Sequence, residues 1–174
     1  SITQDYLFGY LSYDVKNDSE KLTSTNVDEL GFAELFFFQP QKILFIKNNQ
    51  IEFQYLTMVE DEIDKDFKAI CDFVLKPQST IISEGEIKIK SRISRKDYHQ
   101  KVDKILEHIH KGNIYEANFC QEFYAENTRI NPLEIYDDLN IISEAPFATF
   151  FKIDHHFLLC ASPERYLKKE GPKI

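Results

Sequence analysis

The chain has 174 residues, 43% of them hydrophobic, which is enough for one folded domain with a sizeable core and excludes a disordered tail. Its net charge of −8 and pI of about 5.1 exclude a nucleic-acid surface, which needs clustered Lys and Arg to neutralise phosphate. No apolar run is long enough to span a bilayer and no leader pattern opens the chain, so a cytoplasmic location is expected, with no membrane contact.

In chain order, residues 6–14 (YLFGYLSYD) predict a strand that is aromatic on both faces, followed by a polar connection. Residues 35–56 predict a strand and then a hairpin, with Asn48-Asn49 at the tight turn because Asn tolerates positive φ. On the return strand Ile51, Phe53 and Tyr55 alternate with polar residues, so one face is wet. Residues 60–76 predict a helix with Ile63, Phe67, Ile70 and Val74 on one stripe, ended by Pro77. Residues 80–94 read as extended chain with a turn near Gly85, and residues 77–93 are the weakest point of continuity. Residues 94–112 carry the clearest helical pattern, with Ser94 as cap, Tyr98, Val102, Ile105, Leu106 and Ile109 on the apolar face, and Gly112 just past the end. A strand follows in 113–126, then a helix opened by Asn131-Pro132 and running to Leu139 or Ile142. The last segment predicts two antiparallel strands turning at Asp154-His155, a sharp bend at Ser162-Pro163, and a third strand. Hairpins alternating with helices define an α+β fold, a mostly antiparallel sheet with packed helices.

Two stretches stand out chemically. In residues 112–126 strand geometry sends Glu116, Asn118, Cys120 and Glu122 to one face, and Tyr115, Ala117, Phe119, Gln121 and Phe123 to the other. The first set is either an ordinary solvated sheet face or the lining of a polar cavity. In Ser162-Pro163-Glu164 the proline removes a ladder donor, so the carboxylate beside it can point away from the sheet. Arg165 follows; the plain alternative is a surface turn closed by a weak salt bridge. The three cysteines, Cys71, Cys120 and Cys160, are far apart and flanked by apolar residues, which predicts buried thiols rather than disulfides. His99, His108 and His110 lie on a helix and His155-His156 in a turn, so no metal site is expected from them.

Taken together and in order, residues 94–123, 145–151 and 161–166 resemble the chorismate-utilising enzymes, which comprise anthranilate synthase component I, aminodeoxychorismate synthase component I and the isochorismate and salicylate synthases. Tyr98, Val102, Ile109, Gly112, Asn113, Ile114, Tyr115, Glu116 and Asn118 match the family's helix-into-strand motif, and Ser162-Pro163-Glu164 matches its Ser-Pro-Glu. Residues 9–14 (GYLSYD) resemble its N-terminal strand. Ala145-Pro146-Phe147 is more similar to the aminodeoxychorismate branch than to the anthranilate branch.

The resemblance implies part of a large antiparallel fold of the anthranilate synthase component I type. It also implies replacement of the 4-hydroxyl of chorismate by ammonia from a glutamine amidotransferase partner, in the folate and para-aminobenzoate pathway. Glu164 is the implied catalytic general acid/base. Asn118 and Glu116 are implied to contact substrate, and Tyr13, Pro146 and Phe147 to line a tryptophan-like effector pocket. Magnesium is implied on the substrate carboxylate, with ligands outside these residues. So is the nucleophilic lysine of a Pro-Ile-Lys-Gly-Thr motif, for which Lys173 is too early. Residues 1–174 are therefore expected to be an inactive fragment lacking the C-terminal half of the site, either held by a partner or a second copy, or continued by a remainder outside this sequence. Anthranilate, isochorismate or salicylate synthesis, and a non-catalytic tryptophan-binding or structural domain, are the alternatives.

Overall fold

A computed structural model describes residues 5–74 and 87–173. The chain divides into two units, Ser1–Gln78 and Ser79–Ile174, so the boundary falls inside the stretch expected to be weakest. Pro77 and the turn expected near Gly85 lie outside the described residues.

In the first unit β1 (Phe8–Leu11) pairs antiparallel with β2 (Leu35–Phe38). Cross-strand aromatics hold this ladder: the Phe8 and Phe38 rings lie 6.1 Å apart, and Tyr10 stacks on Phe36 at 6.1 Å. Gly9 faces Phe37, and a Cβ there would sit 2.0 Å from the Phe36 carbonyl oxygen, so only glycine permits this approach. The strand is shorter than the sequence predicts, because the chain turns into a 3-10 turn at Tyr13–Val15 and a short helix α1 (Lys16–Ser19). The hairpin forms as expected between β3 (Lys42–Lys47) and β4 (Gln50–Tyr55), with Asn48 at φ 51° and Asn49 at φ 61°.

Helix α2 (Ile63–Cys71) is preceded by a 3-10 stretch over Thr57–Glu62. It meets the hairpin through an edge-on contact of Phe67 with Phe53 at 5.9 Å. A polar cluster secures the open end of the hairpin. Lys42 Nζ reaches Glu62 Oε2 at 2.7 Å and Asp66 Oδ2 at 2.6 Å, and the Tyr55 hydroxyl donates to Asp66 Oδ2 at 2.8 Å. Lys42 and Tyr55 are register partners, so Asp66 bridges two adjacent strand ends. Hydrogen bonds from Lys42 and Tyr55 hold the Asp66 carboxyl below its usual range, and the bonds to Asp66 and Glu62 push Lys42 above its own.

In the second unit α3 (Arg95–His110) starts at Ser94, whose Oγ accepts the Asp97 N–H at 3.1 Å and donates to Asp97 Oδ2 at 2.7 Å. Gly112 at φ 72° ends it: the Gly112 N–H donates to the Ile109 carbonyl at 2.9 Å and the Asn113 N–H to the His108 carbonyl at 3.0 Å. Helix α4 (Pro132–Ser143) opens on Asn131, whose side chain accepts the Leu133 N–H at 3.2 Å, and closes through Glu144 at φ 44°. It packs on the hairpin of β7 (Phe147–Ile153) and β8 (His156–Ser162), with Tyr136 5.4 Å from Phe150. Asp154 at φ 46° makes the expected turn.

Two expectations fail here. The strand expected over 113–126 shrinks to β6 (Phe123–Tyr124), paired with β5 (Lys90–Ser91). A strand persists only where a neighbour takes its backbone bonds, and β5 offers two residues. The third strand expected after Ser162 is irregular chain, with an isolated bridge between Glu170 and Lys173 around Gly171 at φ 58°.

The described strands form four separate two-stranded antiparallel sheets alongside the helices, an α+β architecture. Each ladder has open outer edges among the described strands. No described residue is buried, and Ile141 and Ile142 of α4 are 75% and 83% exposed. Cys71 and Cys120 are exposed and Cys160 half-buried, which corrects the expectation of buried thiols. Helix α4 packs on the hairpin that carries Cys160, which is why that thiol alone of the three is partly covered.

Candidate active site

The β7–β8 ladder runs from Ile153↔His156 to Phe147↔Ser162. It stops there because the next residue, Pro163, has no N–H to donate. Ser162 then ties the bend to itself: its Oγ donates to the Glu164 carbonyl at 2.8 Å and accepts the Glu164 N–H at 3.4 Å. The Glu164 side chain is exposed, and among the described residues no hydrogen bond or ion pair engages its carboxylate. Arg165 does not close a salt bridge with it. The guanidinium lies 5.0 Å from the centre of the Phe147 ring instead. A free carboxylate thus projects from a bend whose backbone is held on both sides.

Glu116 and Asn118 follow the glycine-capped end of α3, and both are exposed. The alternation expected in this stretch survives in part without the strand. Phe119 turns onto Tyr98, with ring centres 5.3 Å apart, and the Gln121 amide donates to the Ile93 carbonyl at 3.1 Å. Glu122, expected in the same polar row as Glu116 and Asn118, is taken by Arg92. Nε donates to one carboxylate oxygen and a terminal nitrogen to the other, both at 2.9 Å. That fork holds the Glu122 carboxyl below its usual range, and Lys90 does the same to Glu126. Sequence reasoning missed Arg92, because nothing in the local pattern links it to a residue so far along the chain. No bond or ion pair among the described residues joins Glu164 to Glu116 or Asn118.

The residues that the resemblance implies for an effector pocket divide between the units. Tyr13 belongs to the first, 83% exposed, with Lys16 Nζ 4.2 Å from its ring centre. Pro146 and Phe147 belong to the second, where one face of Phe147 is occupied by Arg165. A cavity of about 630 Å³ in the second unit is lined by Thr128, Arg129, Ile130, Pro132, Phe157 and Leu159, and includes none of the candidate acids. Among the described residues no three His, Cys, Asp or Glu side chains converge as a metal site needs. The described residues therefore do not by themselves supply a magnesium site. No helix among the described residues is long and apolar enough to cross a membrane.

The fold and these motifs define a chorismate enzyme fold. The chain belongs to the chorismate binding enzyme family, whose model matches residues 1–174. It is 25% identical over 165 residues to an anthranilate synthase component I-like protein of Synechocystis sp., covering 94% of this chain and 33% of that protein. It is 32% identical over 79 residues to aminodeoxychorismate synthase component 1 of Klebsiella aerogenes, covering 45% of this chain and 17% of that protein. The crystal structure of anthranilate synthase component I from Streptococcus pneumoniae superposes with a TM-score of 0.72 at 18% identity, over 91% of this chain and 38% of that one. The chain thus spans about a third of the length of the proteins it matches end to end.

Proposed function

We propose that these residues are the part of an aminodeoxychorismate synthase component I that carries its acid/base glutamate. Chorismate and ammonia would give 4-amino-4-deoxychorismate and water. The carrying observation is the free Glu164 carboxylate, held at the end of β8 by Ser162 in a chain of the chorismate binding family. In this reading Glu164 gives its proton to the departing 4-hydroxyl, which leaves as water. It recovers a proton from the incoming nitrogen, so the carboxyl is regenerated. Asn118 and Glu116 contact substrate, and a glutamine amidotransferase subunit supplies ammonia. Magnesium would bind through residues outside these 174. The Ala145-Pro146-Phe147 segment and the Klebsiella match support the aminodeoxychorismate branch.

Anthranilate synthesis is the second reading. It is favoured by the Synechocystis relative, 25% identical along 94% of this chain, where the Bacillus subtilis aminodeoxychorismate synthase component 1 is 20% identical along the same share. The site is completed by residues outside these 174, so the 174 residues alone do not turn over chorismate. The short coverage of the relatives and the exposed apolar faces support this.

The test is product analysis from chorismate, magnesium and ammonium, with the full-length gene product beside the 174-residue chain and a Glu164→Gln variant. Aminodeoxychorismate from the longer protein alone, lost on Glu164→Gln by about a hundredfold or more, is the expected result. Anthranilate as product selects the second reading. Turnover by the 174 residues refutes the split site. No turnover by either, with tryptophan bound, selects a binding module.

A further inference from the structure

We propose that Ser162 and the Arg165–Phe147 stack are positioning residues that aim the Glu164 carboxylate, a reading that rests on Glu164 acting in the reaction above. Glu164 lies outside the ladder, past a proline, so no sheet hydrogen bond fixes its direction. Two contacts replace the ladder. On the upstream side Ser162 Oγ bonds both the N–H and the carbonyl of Glu164, which sets the backbone of the residue itself. On the downstream side the Arg165 guanidinium lies over Phe147, the residue paired with Ser162 across the β7–β8 ladder.

Both anchors therefore return to one cross-strand pair at the end of one hairpin. Two consecutive residues, Glu164 and Arg165, are tied to it, the first through Ser162 and the second through Phe147. The geometry also separates the roles of the two charges. Engaging Arg165 with a ring keeps its cation off the neighbouring carboxylate, which stays free to exchange a proton with substrate. A guanidinium suits this better than an ammonium because its planar face stacks on the aromatic ring. A hydroxyl at 162 suits it because one oxygen can donate and accept at once, which neither alanine nor cysteine reproduces with comparable strength.

The test uses the full-length gene product carrying these residues, with steady-state kinetics on chorismate and ammonium. A small misplacement of a reacting group costs up to about a hundredfold. Ser162→Ala should thus lower kcat between about tenfold and about a hundredfold, with KM for chorismate changed by less than about twofold. Ser162→Thr, which keeps the hydroxyl, should recover most of that loss. In a Glu164→Gln background Ser162→Ala should cost nothing further, because there is no acid left to aim. Arg165→Met, at an exposed position where folding is not at risk, should lower kcat severalfold with KM unchanged.

Wild-type kcat in both Ser162→Ala and Arg165→Met, with Glu164→Gln impaired, overturns the positioning role and leaves the acid/base role standing. The same fractional loss from Ser162→Ala with and without Glu164 also overturns it, since the serine would then act on the fold. Full activity in Glu164→Gln overturns the acid/base role and this proposal together.

Discussion

Gly9→Ala tests the close approach of β1 and β2. A methyl group at residue 9 would fall 2.0 Å from the Phe36 carbonyl oxygen and 2.8 Å from the Phe37 Cα, both backbone-connected atoms that cannot rotate away. Ordinary contact begins near 3.4 Å, so the strands must part by about 1.4 Å at their centre. Ladder hydrogen bonds do not survive such a shift. Losing two or three bonds at about 1 kcal/mol each, with some strain, costs roughly 3 kcal/mol. Amide hydrogen exchange of the full-length protein reads this locally. The amides of Phe8–Leu11 and Leu35–Phe38 should exchange roughly a hundredfold faster, while those of β7 and β8 are unchanged. Unchanged exchange in β1 and β2 would refute the claim that Gly9 is required by contact with Phe36.

Gly112→Ala places a Cβ in a left-handed position at φ 72° and should cost about 1–2 kcal/mol, read as a lower denaturant midpoint; Gly112→Asn should cost less. The Lys42–Asp66–Tyr55 cluster makes the first unit pH-sensitive at both extremes. Asp66 is held below its ordinary 3.8, so its stabilisation is present above that value and is lost as pH falls below it. Lys42 is raised above 10.5 by Asp66 and Glu62, and Tyr55 above 10.0, chiefly by desolvation and then by its bond to Asp66. Their contributions are complete below those values and are lost as pH rises through the folded values. Thermal melts across pH should show both limbs, and Lys42→Met should flatten the alkaline one.

Features that depend on residues close in the chain were legible without coordinates. Ser94 and Gly112 bound α3, Asn131-Pro132 opens α4, Asn48-Asn49 turns one hairpin and Asp154 the other. Each rests on φ preference or on a side chain bonding a backbone group a few residues away. The Ser-Pro-Glu bend was legible for the same reason, since proline ends a ladder whatever surrounds it. The extent of the strands was not. Residues 113–122 have the alternation of a strand, but alternation only offers two faces and does not supply a neighbour. The exposure of Cys71 and Cys120 follows the same logic, because apolar flanks express a preference for cover that the described residues do not provide.

The sequence by itself determined the helix caps and hairpin turns and the presence of a carboxylate at a broken strand end, because all of these are settled within one turn of chain. Only the tertiary structure decided how the charges are divided. Arg92 takes Glu122, Lys42 takes Asp66, and Arg165 turns from its neighbour Glu164 to Phe147. Pairings such as these are contests among partners distant in sequence, won by whichever group the packed backbone brings within hydrogen-bonding or stacking distance. That is why Glu122 and Glu164, both acids beside strand ends, leave folding in opposite states, one neutralised and one free.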